Sequence, residues 1–391
     1  MLASEELTDL RFELRRWLED NCPPSMRTPM PSDEVPYGGQ QSQAKNPDTW
    51  VWLRRAAARG LTMPTVPVEY GGAGLASAQA AVLAEEMERI RARPPLLGSG
   101  LSLLAPTLLR FGTERQKSEH LPRIGAGEVR WCQGFSEPEA GSDLASLRTR
   151  AVPDGSDFVL NGQKIWTSFA TVSDWMFCLA RTDINASVAQ RGITMFLVDM
   201  KTSGLTVRPI RLINGDTEFC ETFFDDVRVP AENVLGEVNG GWPAAKFLLN
   251  EERRATHEWS EAAFSFPLLT AWREGGRGDP ALTARVVRNE LDRLALDRTM
   301  ARAQRLAENG DRRAERFANI IKVCNAECQQ ERGELMTLLR GWDGVSWEGG
   351  PDEDASRMRA WLTSRALSIA GGTTEIQLNL ISRRWLGLPV S

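Results

Sequence analysis

The apolar residues of this chain change their period twice, and few folds allow that. Up to about residue 128 they recur at helical spacing: Leu7, Leu10, Leu14, Trp17 and Leu18 mark one helix, which Pro23-Pro24 stops. Residues 25–46, rich in Pro, Gly, Gln and Ser, read as a long ordered loop. Asn46-Pro47-Asp48 opens a second helix with Trp50, Leu53 and Ala57 along one side, and a third covers about 77–92. Thr113-Glu114-Arg115-Gln116 is a capping box, in which Thr accepts from the N3 amide and Gln reaches back to the cap amide. Near Trp131 the period shortens. DFVLNGQKIWTS, DWMFCLART, GITMFLVDM, LTVRPIRLI and ETFFDDVRVP are short β-branched and aromatic runs, parted by turn signals such as Asn161-Gly162 and Asn214-Gly215-Asp216. Their spacing leaves no room for helices, which predicts antiparallel strands in a small barrel or sandwich. From Gly240 the helical period returns over 241–260, 280–308, 313–340 and 352–366, and Ile376, Leu380, Ile381 and Leu386 form a last stripe. Gly275–Gly278 and Gly349–Asp354 read as joints between these helices. The expected architecture is an α+β multidomain chain: an N-terminal helical domain (1–128), a central antiparallel β-barrel or sandwich (129–238) and a C-terminal four-helix bundle (239–391).

Composition removes several function classes. The net charge of -5 gives no basic excess to hold nucleic acid. With two histidines, His120 and His257, a multi-histidine metal centre is impossible, and both are expected to be surface or packed residues. The cysteines at 22, 132, 178, 220, 324 and 328 match no zinc spacing and read as scattered thiols in a reducing compartment, so no metal site is expected. The N-terminus carries acids where a signal peptide needs a basic start, and no run approaches the roughly 18 apolar residues of a membrane span. A cytoplasmic protein without a membrane span is the expectation.

Three peptides carry the chemistry: SEPEAGSD (136–143), NGQKIWTS (161–168) and GGTTEIQ (371–377), the last running into RRWLGLP. In this order, within a helical–β–helical chain, they resemble the flavin-dependent acyl-CoA dehydrogenases over nearly the whole length. FAD is the cofactor that the resemblance implies, and the residue types suit it. A flavin needs aromatic or apolar faces, donors to ring atoms and close backbone approach. Trp131, Phe135 and Trp166 offer faces, Ser136, Thr167, Ser168 and Thr373 offer hydroxyls, and Gly141, Gly371 and Gly372 let amides come near. By the resemblance, Phe135, Ser136, Gly141, Ser142, Trp166 and Ser168 line the flavin ring, and Thr373 and Glu375 touch its adenine dinucleotide part. No GxGxxG follows a strand, so a Rossmann site is not indicated.

The implied reaction is α,β-dehydrogenation of an acyl-CoA thioester. A carboxylate removes the α-proton, and donors stabilise the developing enolate oxygen. The resemblance gives the backbone amide of Gly371 to that oxygen. Many members carry the base immediately before the Gly-Thr of the last motif, but here that position is Gly371, preceded by Ala370. A smaller branch places its Glu on a C-domain helix before an Arg, and GGWPAAKFLLNEERRATHE puts Glu252 and Arg253 there. Glu252 is then the base, and Ser142, Asn250 and Arg253 face the substrate. Glu251 points about 100° away around the helix. On spacing alone, EERR reads equally as a solvated charge cluster.

The family's Arg-x-x-Phe-Gly peptide, which reaches a neighbouring subunit's FAD, is missing between 262 and 310; Arg285 and Arg288 are the candidates to replace it. The resemblance further implies electron-transfer flavoprotein as acceptor and a homodimer or homotetramer. A heteromer containing this chain as a non-catalytic partner subunit and a flavin monooxygenase on the same fold are the alternatives. A base moved off the last motif frees space near Ala370 and Gly371 for branched, aromatic or steroid-derived acyl groups, as in fatty acid or sterol side-chain catabolism.

Overall fold

The helical period of the first twenty residues becomes α1 (Ser4–Asn21), which runs out at Pro23-Pro24. The computed structural model describes residues 4–31, 34–264, 267–276, 278–308, 310–311, 313–345 and 353–389, with the backbone alone at 4, 253–264, 276, 308, 315 and 353–356. Further helices are α2 (Asp48–Ala58), α3 (Ser77–Arg89), α4 (Ala105–Phe111) and α5 (Glu114–Gly125). The buried face of α2 is Thr49, Trp52, Leu53 and Ala56, one step round from the expected Trp50–Ala57 stripe. The buried Trp52 is satisfied there: its indole N–H donates to the Arg93 carbonyl at 2.9 Å. Trp52, Leu14, Leu18, Met26, Val82 and Leu83 make that core.

The capping box is present. Thr113 Oγ1 accepts from the Gln116 N–H at 3.2 Å, and Gln116 Oε1 accepts from the Thr113 N–H at 3.1 Å. The Gln116 side-chain amide also donates to the carbonyls of Glu232 (2.9 Å) and Val234 (2.8 Å), so one residue caps α5 and anchors it to the strand region.

The β segment comprises β1 (Trp131–Gly134), β2 (Arg150–Asp154), β3 (Asp157–Ser168), β4 (Trp175–Arg181), β5 (Ile193–Asp199), β6 (Leu205–Pro209), β7 (Phe219–Pro230) and β8 (Val234–Leu235). They form one open sheet in the order β6-β7-β3-β2-β4-β5-β8, with β1 beside β4. Most pairings are antiparallel as expected, while β1–β4 and β2–β4 are parallel. The continuous apolar runs of β4 and β5 are buried on both faces, as parallel or sandwiched strands require.

The C-terminal helices are α6 (Gly241–Phe264), α7 (Leu268–Ala271), α8 (Pro280–Glu308), α9 (Ala314–Leu339), α10 (Glu353–Ser364) and α11 (Thr374–Arg384). Leu268, Val286, Leu335, Met336 and Leu339 form a core among α7, α8 and α9. The joint expected over Gly349–Asp354 lies mostly outside the described residues. The chain divides into two compact units: residues 1–210 with 218–248, and residues 211–217 with 249–391. Among the described residues no helix is long and apolar enough to cross a membrane.

The N-terminal helices are locked by one buried carboxylate. Glu86 on α3 is 1% exposed and takes Arg15 at 2.9 and 3.0 Å, Arg89 at 2.7 Å and Arg11 at 3.1 Å. These hydrogen bonds, that of Arg15 foremost, pull its carboxyl from an ordinary 4.5 down to about 2. Because the folded value is depressed, this stabilisation is complete above pH 4.5 and is lost as pH falls towards 2. Glu86→Gln is expected to lower stability by about 2 kcal/mol at neutral pH, and urea denaturation of variant and parent should converge as the solution is acidified through that window.

Candidate active site

In the first unit the site is built on an irregularity of β3. Its register with β7 shifts between Lys164 and Thr167, so Ile165 and Trp166 fall out of the regular ladder. Trp166 takes a left-handed backbone, φ +61, which is costly for a bulky side chain and clusters at functional sites. Its ring is 52% exposed, with its nearest aromatic neighbour, Phe219, edge-on at 6.0 Å. Thr167, by contrast, is buried. Its hydroxyl donates to the Cys220 carbonyl at 2.7 Å and lies 2.8 Å from the Thr222 hydroxyl. Two interior bonds on β7 thus pin the strand immediately beyond the exposed tryptophan.

The loop after β1 is fastened to the same strand. Lys164 is fully buried, with Nζ 2.7 Å from Glu137 Oε1 and 3.0 Å from the Phe135 carbonyl. Glu137 also accepts the backbone N–H groups of Arg148 (2.6 Å) and Thr149 (2.9 Å), and the Ile165 N–H donates to the Ser136 carbonyl at 3.0 Å. Burial alone would raise the Glu137 carboxyl, but the Lys164 charge and these donors more than offset it and leave it below its ordinary value. Residues 135–137 and 148–149 are therefore held at both ends, and between them Gly141 and Ser142 stand exposed. A Cβ at Gly141 would meet nothing within 4 Å, so a ligand can approach the main chain there. Sequence reasoning named the motifs but missed Glu137 and Lys164. A lysine inside an alternating strand, at a position facing the core, was the available signal.

The three aromatic candidates divide. Trp166 presents its ring to solvent, whereas Phe135 is buried edge-on to Phe177 at 5.9 Å. Trp131 is buried beside Trp175 (5.4 Å) and His120 (5.2 Å). His120 is a packed residue, as expected, its imidazole pushed towards the neutral form by burial. Ser136 and Ser168 are half-buried.

In the second unit, α6 carries Asn250, exposed, and Glu252, half-buried. Arg253 follows in the same helix, and its side chain, like that of His257, lies outside the described residues. At the start of α11, Gly371 (φ +66) and Gly372 (φ +93) form a left-handed turn. Gln377, fully buried, fixes it by donating to the carbonyls of Gly371 (3.1 Å) and Gly372 (3.4 Å) and accepting from Asn319 Nδ2 at 2.5 Å. Thr373 caps the helix, its hydroxyl accepting from the Ile376 N–H at 3.3 Å. Hydrogen bonds from its own backbone N–H and from Thr373 hold the Glu375 carboxyl below its ordinary value. The Lys322 amine on α9 is buried with no hydrogen-bond partner among the described residues, and burial lowers its affinity for a proton.

Arg285, one candidate for the missing dimer-contact arginine, is bound instead to Glu331 (2.8 and 3.0 Å) and Glu334 (2.8 Å) on α9. Arg288 is exposed. The cysteines carry no site: burial pushes the Cys132 thiol to about 12 and those of Cys178 and Cys328 to about 11, far from a reactive thiolate. Cys324, one turn before buried Cys328 on α9, is exposed. No group of His, Cys, Asp and Glu among the described residues could hold a metal ion.

The donors and surfaces suit a flavin dinucleotide. In the first unit Trp166 supplies a solvent-facing ring, Ser168 a half-buried hydroxyl and Gly141 an open main chain, the kinds of group a planar cofactor needs; the second unit, taken by itself, offers the Thr373-capped start of α11 and the buried Lys322 amine. The chain is similar to known proteins along its length. Models of the acyl-CoA dehydrogenase N-terminal, middle and C-terminal domains match residues 4–128, 132–227 and 239–386. The chain is 36% identical to acyl-CoA dehydrogenase IpdE1 of Mycobacterium tuberculosis (strain ATCC 25618 / H37Rv), over 98% of each chain. It is 39% identical to acyl-CoA dehydrogenase FadE34 of the same organism, over 85% of this chain and 45% of that one. Among solved structures, the Tcur3481-Tcur3483 steroid ACAD superposes with a TM-score of 0.78 at 27% identity, covering 100% of this chain and 99% of that one. The ChsE4-ChsE5 complex from M. tuberculosis gives a TM-score of 0.72 at 26% identity, covering 100% of each.

Removing one partner of the buried pair leaves the other charge uncompensated. Lys164→Met is expected to cost about 3–5 kcal/mol in urea denaturation. The double variant Glu137→Gln/Lys164→Met should recover part of that loss, and a single-variant cost near that of an exposed ion pair would contradict the arrangement.

Proposed function

The chain belongs to the acyl-CoA dehydrogenase family, and we propose that it dehydrogenates a bulky acyl-CoA thioester with Glu252 as its base. FAD-dependent acyl-CoA dehydrogenation is the activity of the family. In this reading the chain works as helical (1–128), β (129–238) and helical (239–391) domains. The observation that carries the assignment is the left-handed glycine turn at 371–372, which puts a glycine where many members carry the base, together with a half-buried glutamate on α6.

FAD, when bound, supplies the acceptor for the β-hydrogen. Phe135, Ser136, Gly141, Ser142, Trp166 and Ser168 would hold its ring portion, and Thr373 and Glu375 its dinucleotide portion. The protein's own residues do the rest. Glu252 takes the α-proton, a step that a positioned base accelerates by about 10²–10⁴-fold. The Gly371 N–H donates to the thioester oxygen as enolate charge develops there, and Gln377 fixes that turn so that no reorganisation is needed at the moment of reaction. Ser142, Asn250 and Arg253 face the CoA ester. Electron-transfer flavoprotein is the proposed acceptor. A steroid-derived or otherwise branched acyl group is favoured by the likeness to a solved steroid ACAD and by the absence of a side chain at Gly371.

A heteromeric assembly is the second reading, supported by a solved relative that is a complex of two named chains. In that assembly this chain either carries the base or serves as the partner of one that does.

Anaerobic addition of acyl-CoA should bleach the bound flavin, and Glu252→Gln should slow this at least about 100-fold while FAD content is unchanged. Full turnover in Glu252→Gln would remove Glu252 as base. Lack of bleaching by any ester in the parent chain would favour the non-catalytic partner.

A further inference from the structure

The glycine turn at 371–372 is held on both sides of the Gly371 amide. Upstream, the N–H groups of Ile369 and Ala370 donate to the Ala366 carbonyl, each at 2.9 Å. Downstream, the Gln377 side-chain amide donates to the carbonyls of Gly371 and Gly372 at 3.1 and 3.4 Å. Between these anchors the Gly371 N–H, among the described residues, donates to no backbone carbonyl. A donor whose neighbours are bonded on either side keeps its direction without being used up inside the protein. The fit beneath the turn is close. A Cβ added at Gly372 would stand 2.7 Å from Gln377 Nε2, so the carboxamide takes the space that a side chain there would need.

That carboxamide works only one way round. Its NH2 group can serve two carbonyls, whereas its oxygen, turned over, would face both as acceptor against acceptor. Gln377 is fully buried, so water does not make good a wrong orientation. What settles the orientation is a second carboxamide, on another helix. Asn319, buried on α9, donates from Nδ2 to Gln377 Oε1 at 2.5 Å. A flipped Gln377 would set its NH2 against that of Asn319 as well as its oxygen against the turn, so the flip fails at both ends. The base of this arrangement is firm. Leu335, Met336 and Leu339 of α9 lie in the core shared with α7 and α8.

We propose that Asn319 is a positioning residue for the dehydrogenation, holding the Gln377 carboxamide in the orientation that aims the Gly371 N–H at the thioester oxygen. This rests on the reading of Gly371 as the donor to that oxygen. Asn319 touches neither substrate nor cofactor; it acts through Gln377 and the turn. A donor counts in the transition state as far as it is already aimed where charge develops. Loosening that aim therefore slows the chemistry more than it weakens binding of the ester.

The test compares the FAD-loaded full chain with Asn319→Leu, which removes the donor at similar size. Asn319→Ala, which removes it and adds nothing, serves if the leucine variant does not fold. The esters are octanoyl-CoA, isovaleryl-CoA and 3-cyclohexylpropanoyl-CoA, and the one that bleaches the parent flavin fastest is carried through. Either variant should lower the limiting rate of anaerobic bleaching about 10- to 100-fold, short of the roughly 10²–10³-fold lost when an oxyanion donor is removed outright. The ester concentration giving half the limiting rate, and the FAD content, should stay within about twofold of the parent. Hydrogen exchange over residues 366–377, read by mass spectrometry without ester, should quicken in the variants. A quickened turn with an unchanged bleaching rate overturns the proposal and takes the thioester oxygen from Gly371, leaving the dehydrogenase in place. Unchanged exchange, or a loss of rate matched by equal loss of ester binding or FAD, also overturns it. No bleaching of the parent by any of the three esters overturns the dehydrogenase reading and the proposal with it, whatever the exchange.

Discussion

The buried contact between Lys164 and Glu137 is what the geometry of the first unit's site depends on. Two charges taken out of water are expensive, and the cost is offset here because each is bonded to main chain as well as to the other. Lys164 also binds the Phe135 carbonyl, and Glu137 also receives two backbone N–H groups. The consequence is positional. The loop bearing Ser136, Gly141 and Ser142 and the strand bearing Trp166 and Ser168 cannot move independently, because a shift of either would break an ion pair in a low-dielectric interior. The proposed presentation of a ring wall and hydroxyls to one planar cofactor would rest on that shared reference.

The same strand stores strain where the pair holds it. Trp166 adopts φ +61 and Phe169 φ +57, three residues apart, on either side of the buried Thr167. Such conformations cost of order 1–3 kcal/mol each and persist only where neighbours over-determine them. Lys164 on one side, and the Thr167 bonds to Cys220 and Thr222 on the other, do so. One left-handed residue turns an indole outwards, and the other sets a phenyl ring against the Arg130 guanidinium.

Element type was legible in the sequence because period is a local property. The helical stripe of α1, the capping box of α5 and the β runs needed no knowledge of what they pack against. What escaped was set by long-range partners. The buried Trp52 of α2 is satisfied by the Arg93 carbonyl, forty-one residues away in sequence. The parallel pairing of β1 with β4 followed from the chain crossing the sheet, which strand composition does not encode. At the site, the motif residues could be named from their types, and the roles of Lys164, Glu137 and Gln377 could not. Each of those acts through a carbonyl or amide of another residue, and a backbone acceptor leaves no trace in its own side chain.

The backbone at residue 371 bears on where the base can stand. With φ +66, Gly371 occupies a region that a residue with a Cβ enters at a cost of about 1 kcal/mol, and Gln377 bonds to both carbonyls of the turn to keep it there. A carboxylate at 371 would have to accept that strain or dismantle the turn, and dismantling it would misdirect the amide proposed to face the thioester oxygen. Placing the proposed base on α6 removes the conflict, since a helical residue such as Glu252 carries its carboxylate on an unstrained backbone. In that proposal the glycine turn is left to serve close main-chain approach alone, and the acid–base role falls to an element whose geometry does not compete with it.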